Sequence, residues 1–386
     1  MTLPDVVVVG AGIVGASAAW ELAGRGAQVT LVDAGEVSGG TTGLGEGNVL
    51  CSDKDAGPEL ELARLGLARY DAIEAELGEV ARIRRKGALI VHPREDTWAA
   101  EPARAARLRA AGVEAELLDP EAVRAVEPGL TGALHGATRV PGDLQCDPRA
   151  IARALAAAAA RLGARVRTHC RVEHVQVDGG RVAGVRLAGG EVLGAGAVVV
   201  AAGPWSRELC EDAGVPLPLE PRKGQLVQLA LPAPDPDAIR HKVVDGSYLL
   251  SVVDPGSGLQ LSSVVETTWE GHVVVGSSRE RRGFDLTVDE AVGAAMVERA
   301  ATLFPALAGL RRMRAWAGLR PWLPDHLPAI GPSERVAGLW VATGHEGAGV
   351  ALGPITGLLV AQGLCGEPAA FDFAPLRPDR FARVAG

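Results

Sequence analysis

The 386-residue sequence predicts an α/β chain, α+β overall, in which a parallel-sheet unit is interleaved with a mostly antiparallel β-sheet unit. Three observations predict it. Val6–Val9 is an unbroken β-branched run, the pattern of a strand buried on both faces. Two further short runs that read as buried strands, Val198–Ala201 and Val341–Gly344, lie far along the chain. Between them, residues 226–277 alternate in the manner of antiparallel strands.

The elements follow in order. Gly10 ends the first strand, Ala16–Leu22 reads as helix, and Val29–Val32 is a second buried strand. Pro58–Leu77 carries Leu62, Leu65, Tyr70, Ile73 and Leu77 at helical spacing. Ala88–Val91 is a strand that opens a different region, and residues 97–128 read as interrupted helix. Asp119-Pro120 and Asp147-Pro148 are helix starts, because Asp caps free amides and Pro fits the first turn. Asp178-Gly179-Gly180 is a hairpin turn within a valine-rich β segment. Strands are expected at Ser247–Ser251 and Val273–Gly276, and Thr287 with Glu290 reads as a capping box. A last helix begins near Gly349.

Composition excludes several classes. A formal charge of −8 leaves no basic balance for sequence-independent nucleic-acid binding. The five cysteines lack CxxC spacing, so zinc and iron–sulfur sites have no support and no metal is expected. An odd, scattered set fits reduced thiols and a cytoplasmic location. The longest apolar run, Ala348–Leu364, is short, glycine-rich and interrupted by Pro354, so no transmembrane segment is expected.

Gly10-x-Gly12-x-x-Gly15 follows a strand and opens a helix, and Asp33 ends the next strand. This is the dinucleotide fingerprint of a Rossmann-like unit. Gly10 permits the tight turn, Gly12 lets backbone touch a pyrophosphate, Gly15 lets helix and sheet pack, and Asp33 accepts from ribose hydroxyls. The fingerprint alone does not separate NAD from FAD. A second glycine-rich stretch, Gly39–Asn48, suits a ligand that runs on past its ribose, and residues 181–205 bring the chain back to the dinucleotide.

The chain resembles the FAD-dependent amine oxidoreductases of the D-amino acid oxidase type, nearest to the branch of glycine oxidase, D-amino acid dehydrogenase and sarcosine oxidase. The resemblance covers nearly the whole chain and rests on the N-terminal fingerprint, AAGPWS, AGLRPWLPDHLPAIG at 317–331 and GLWVATGHEGAGVALGPITG at 338–357. It implies non-covalent FAD, since no cysteine between Cys210 and Cys365 supports the thioether of monomeric sarcosine oxidases. It implies an FAD-binding unit formed by residues 1–85, 142–220 and 316–386, and a substrate-binding unit formed by 86–141 and 221–315.

The cofactor-binding residues it implies come from five segments. They are Gly10, Gly12, Ile13, Val14 and Gly15 with Asp33 and Ala34, then Gly40, Thr41, Thr42, Gly47 and Asn48. Val172, Ala202, Gly203 and Trp205 follow, then Gly318 and Arg320. Last come Gly344, Glu346, Gly347, Ala348, Gly349 and Val350, whose amides and helix dipole would stabilise negative charge on reduced flavin.

Three residues stand out as catalytic. In the family the arginine of the Gly-Leu-Arg-Pro motif, here Arg320, pairs with the substrate carboxylate, a match for a planar guanidinium. Its alternative is a brace for the loop before Pro321. Tyr248 adds a second carboxylate hydrogen bond or is a half-buried strand tyrosine. His345 packs on the flavin, hydrogen-bonds to it, or is a loop histidine with a backbone partner. Glu346 either suits a basic substrate or faces solvent. Asp325 turns the chain, and Trp322 is the tryptophan most expected at the pocket.

The implied reaction is oxidation of the C–N bond of an amino acid (glycine, sarcosine, proline-type or D-amino acid) by hydride transfer from Cα to flavin N5, giving an imine that hydrolyses. The alternative is an FAD-carrying subunit of a heteromeric dehydrogenase, with partner subunits or homo-oligomers as its assemblies.

Overall fold

A computed structural model describes residues 3–247, 249 and 258–383. The Val6–Val9 strand is wholly buried and lies inside a six-stranded sheet. Across that sheet the order is Ala329–Pro332, Leu339–Thr343, Ala197–Val200, Val6–Val9, Val29–Val32, Arg165–Arg167. Only Ala329–Pro332, at one edge, runs antiparallel to its neighbour. The register sets Val6 beside Ala197 on one side and Val29 on the other. The valine runs are thus strands covered on both faces, as their lack of polar alternation requires.

Helix Ile13–Gly24 leaves the first strand and packs against Gly349–Cys365. Their close approach needs Gly357, where a Cβ would stand 2.5 Å from Ser17. Pro354 inside the second helix cannot donate to the carbonyl of Val350. The Tyr70 hydroxyl, on helix Pro58–Leu77, donates to that carbonyl at 2.8 Å instead. A fully buried tyrosine therefore satisfies the acceptor that the proline leaves open. The segment Glu346–Cys365 is long and apolar enough to cross a membrane, contrary to the expectation from Pro354 and the glycines, yet most of it is buried as a core helix.

The second large sheet has eight strands, in the order Arg311–Trp322, Glu220–Ala230, Val273–Arg279, Gln260–Thr267, Lys242–Asp245, Ala88–His92, Gly136–Val140, Glu116–Leu118. Its pairs are antiparallel except Lys242–Asp245 with Ala88–His92. Val227, Val243, Val265 and Val275 face a core completed by Met296 and Phe304. The polar alternation of this region does not mark a solvent face. Ser262, Ser263, Glu266, Ser277, Ser278 and Arg279 are all buried, and Ser277 lines a cavity.

Asp119 and Asp147 cap their helices, accepting from Ala122 at 2.8 Å and from Arg149 and Ala150 at 3.0 Å. The expected capping box is corrected: Asp289 caps Glu290–Ala301, while Thr287 hydrogen-bonds to Asp285. Asp lies immediately before the first helical residue, where its short side chain reaches the free amides directly. The strand expected at Ser247–Ser251 lies largely outside the described residues, and so does Tyr248.

Candidate active site

A cavity of about 940 Å³ opens between the two sheets. The fingerprint turn forms one wall. Gly10 has φ +104°, and a Cβ there would stand 2.4 Å from the Ala201 carbonyl oxygen. Only glycine meets both demands. Gly12 precedes the helix without a side-chain cap, and the Ile13 amide donates to Thr42 Oγ1 at 3.1 Å. The helix therefore presents its positive end to the cavity, a ready anion site. Asp33 is braced there by the amides of Ala11 at 2.6 Å and Gly35 at 2.8 Å.

Most of the singled-out residues line this one cavity. Ile13, Val14, Ala34, Gly40, Thr41, Thr42 and Asn48 do so from the first two glycine-rich segments. Val172, Ala202, Gly203 and Trp205 follow from the middle of the chain, and Gly318, Arg320, His345, Glu346, Gly347, Gly349 and Val350 from the end. Gly15, Gly47, Gly344 and Ala348 are not among its lining residues. Gly15 lets the helix sit on Gly10, and Gly47 and Gly344 give room to Cys146 and Leu323. Trp322 also stands off the cavity, packed between Arg281 and His326. Asp325 turns the chain, accepting from the Leu327 amide and pairing with Arg380 at 2.7 Å.

The long strand pair Glu220–Ala230 and Arg311–Trp322 sets Arg222 opposite Arg320 and Gly224 opposite Gly318. The Arg320 guanidinium lies across Gly224, where a Cβ would meet its Nη1 at 2.1 Å, and donates to the Ser278 carbonyl at 3.0 Å. Arg222 donates to Glu346 at 2.7 Å and to Gln260 at 2.9 Å.

Glu346 does not face solvent. Its side chain is only 11% exposed and is held between Arg222 and His326. Burial alone would raise its pKa, but the His326 hydrogen bond and the charges of Arg279 and Arg222 hold it at about 2. Its stabilising effect is complete above the usual 4.5 and fades as pH falls toward 2. Glu346→Gln is therefore expected to melt below the parent at pH 7, with the gap narrowing as pH falls below 4.5 and closing only at about pH 2, where the parent's carboxylate also loses its charge. Thermal melts at both pH values check this; a gap that persists at the lower pH contradicts it.

His345 is buried, and burial pushes its pKa down to about 3, so it is neutral at pH 7. Thr356 donates its hydroxyl to the Leu352 carbonyl at 2.7 Å. The hydroxyl oxygen, 2.9 Å from His345 Nε2, then accepts from that nitrogen and leaves Nδ1 as the lone-pair nitrogen.

Sequence reasoning missed a buried charge cluster. Glu46 lines the cavity beside Asn48 and Ser277. Lys242 Nζ lies 3.5 Å from Glu46 and 3.3 Å from Glu266. No local signal marks it, because its members come from a glycine-rich loop and two separate strands.

Comparison with known proteins bears on this geometry. The family described as DAO, FAD dependent oxidoreductase, matches residues 5–363. The chain belongs to this family of FAD-dependent oxidoreductases. It is 32% identical to a glycine oxidase of Pseudomonas aeruginosa over 97% of this chain and 98% of that one. It is 34% identical to a D-amino acid dehydrogenase of Xanthobacter autotrophicus over 72% of this chain and 63% of that protein. The crystal structure of glycine oxidase from Geobacillus kaustophilus superposes with a TM-score of 0.87, at 29% identity, covering 98% of this chain and 99% of that one. The cavity fits the cofactor of the family: it has a glycine turn, a helix N-terminus for phosphates and an acid braced for a ribose.

Proposed function

We propose that this FAD-dependent oxidoreductase oxidises the C–N bond of an amino acid, of the glycine, sarcosine, proline or D-amino acid type. The carrying observation is that Arg320, a carboxylate-binding side chain, lines the same cavity as the glycine turn and Asp33. FAD, when bound, supplies a two-electron acceptor for hydride. The residues then have separate tasks. Gly10, Gly12, Ile13, Thr42 and Asp33 hold the dinucleotide. Arg320 grips the substrate carboxylate and so aims Cα, which positions the hydride for transfer. Neutral His345 lines the same wall as the uncapped start of Gly349–Cys365, whose positive end favours negative charge on the reduced ring. The resulting imine hydrolyses after release.

The division into residues 1–85, 142–220 and 316–386 for FAD and 86–141 and 221–315 for substrate is part of this proposal. It is supported by the six-stranded sheet drawing on the first set. FAD is held without a covalent bond: among the described residues Cys170 is the only cysteine at the cavity, and its amide binds the Asp33 carbonyl, far along the chain from Arg320. All five thiols are free, which supports a cytoplasmic setting.

The test is a panel of amino acids, both enantiomers and N-methyl forms, mixed with the protein under argon. Bleaching of flavin absorbance by at least one member is expected. If none bleaches it, the reading of a self-sufficient enzyme fails and that of an FAD-carrying subunit in a larger dehydrogenase takes its place.

A further inference from the structure

We propose that Glu46 is the carboxylate that holds the substrate ammonium group and takes its proton before hydride leaves Cα, an assignment that rests on the amino-acid reading above. Glu46 follows the short helix Thr41–Leu44, and its side chain is only 10% exposed. One oxygen, Oε2, accepts from Asn48 at 3.0 Å and faces Lys242. The other, Oε1, has no hydrogen-bond partner among the described residues. It lies over Gly276, where a Cβ would stand 2.5 Å away, next to Ser277 in the cavity wall. A buried carboxylate oxygen without a donor is costly, so a native structure keeps one where a ligand or water completes it.

The charges identify the ligand. Arg320 and Glu46 line the same cavity with opposite signs. A zwitterion carrying a carboxylate and an ammonium on neighbouring atoms satisfies both. Lys242 with Glu46 and Glu266 leaves one net negative charge in this cluster, and a substrate ammonium neutralises it. The groups facing Glu46 are Asn48 on its own loop, Lys242, Glu266 and Arg320 from three strands. Burial raises its proton affinity, Lys242 opposes that, and Glu266 adds to it. A carboxylate in this setting is a stronger base than one in water.

The step balances simply. One N–H bond of the ammonium breaks and an O–H bond forms on Glu46, with no change in oxidation state. The free amine can then direct its lone pair toward Cα as the Cα hydrogen leaves as hydride; FAD, when bound, would supply the two-electron acceptor. The cluster afterwards holds neutral Glu46 beside the Lys242–Glu266 pair.

The experiment compares the FAD-loaded parent with Glu46→Gln and Glu46→Asp. Flavin content and melting temperature report folding. Anaerobic flavin reduction by the amino acid that bleaches the parent is followed against pH. For Glu46→Gln the rate at pH 7 is expected to fall by about 100-fold or more, the usual contribution of a general base. It should climb back as pH rises and the substrate ammonium loses its proton to solution, and Glu46→Asp should keep part of the rate. A parent-like profile, or a slow rate with no recovery at high pH, overturns the assignment.

A second readout needs no turnover. 2-Aminoisobutyrate, which lacks a Cα hydrogen, and isobutyrate are titrated against the flavin spectrum. The parent should prefer the amino compound and Glu46→Gln should not. A preference that survives in the variant overturns the role of Glu46 alone. If neither acid perturbs the parent and no amino acid bleaches it, the amino-acid reading falls and the assignment with it.

Discussion

Replacing Arg320 with alanine is expected to raise KM for a carboxylate substrate by an amount equivalent to roughly 2–4 kcal/mol, the usual loss when one partner of a hydrogen-bonded charge pair is removed. The guanidinium lies across Gly224 and is braced by the Ser278 carbonyl, so its position is set by the sheet before any substrate enters. Preorganisation of this kind makes the lost contact large, because little ordering remains to be done on binding. The variant should keep its flavin, since the glycine turn and Asp33 are untouched. Arg320→Lys should recover charge but not the planar two-point grip, and so should fall between parent and alanine. Steady-state kinetics on the amino acid found by the panel decide it. An unchanged KM would return Arg320 to the role of a loop brace.

The second large effect concerns the cofactor. Gly10→Ala should yield protein with little or no flavin and a lowered melting temperature. The left-handed φ of +104° alone costs a side-chain residue about 1–3 kcal/mol. The added Cβ also meets the Ala201 carbonyl carbon at 2.8 Å and its oxygen closer still. Relief requires the first strand and Val198–Ala201 to separate where they frame the dinucleotide, so strain and loss of the site arrive together. Absorbance near the flavin band, per mole of purified protein, reads the outcome. A fully yellow variant would mean that the turn tolerates the methyl and does not shape the site.

Much of the fold was legible because burial leaves a strong mark on short runs. Four consecutive valines can be covered on both faces only inside a layered sheet, and Val6–Val9 lies there. Asp before Pro at 119 and 147 names a helix start by local chemistry alone. Thr287 misled for the same reason: Asp289 competes for the cap from a position two residues nearer the helix, and a pattern cannot rank two candidate caps. The Tyr70–Val350 contact was hidden, since nothing local says which distant hydroxyl will serve a proline-interrupted helix.

The site divides similarly. The glycine turn, the helix start and Asp33 are contiguous in sequence and could be read together. Arg320 came from resemblance, because one arginine before a proline carries no local signal. Glu346 appeared ambiguous in sequence, and the structure locks it against Arg222 from a strand more than a hundred positions away. Lys242, Glu46 and Glu266 are charges in three separate segments. Their meaning arises only when antiparallel pairing and the glycine loop bring them into one buried cluster, with Glu46 at the cavity wall.

The proposed reaction is oxidation of an amino acid by this chain alone, at the cavity between its two sheets. The most direct measurement is a single-turnover reaction under argon, with the purified flavoprotein and the amino acid identified by the panel. One equivalent of oxo acid or aldehyde formed for each flavin bleached, and far slower bleaching with Arg320→Ala at the same subsaturating substrate concentration, is the predicted result. Flavin that stays oxidised in the parent, or product formed equally well by the variant, would contradict it.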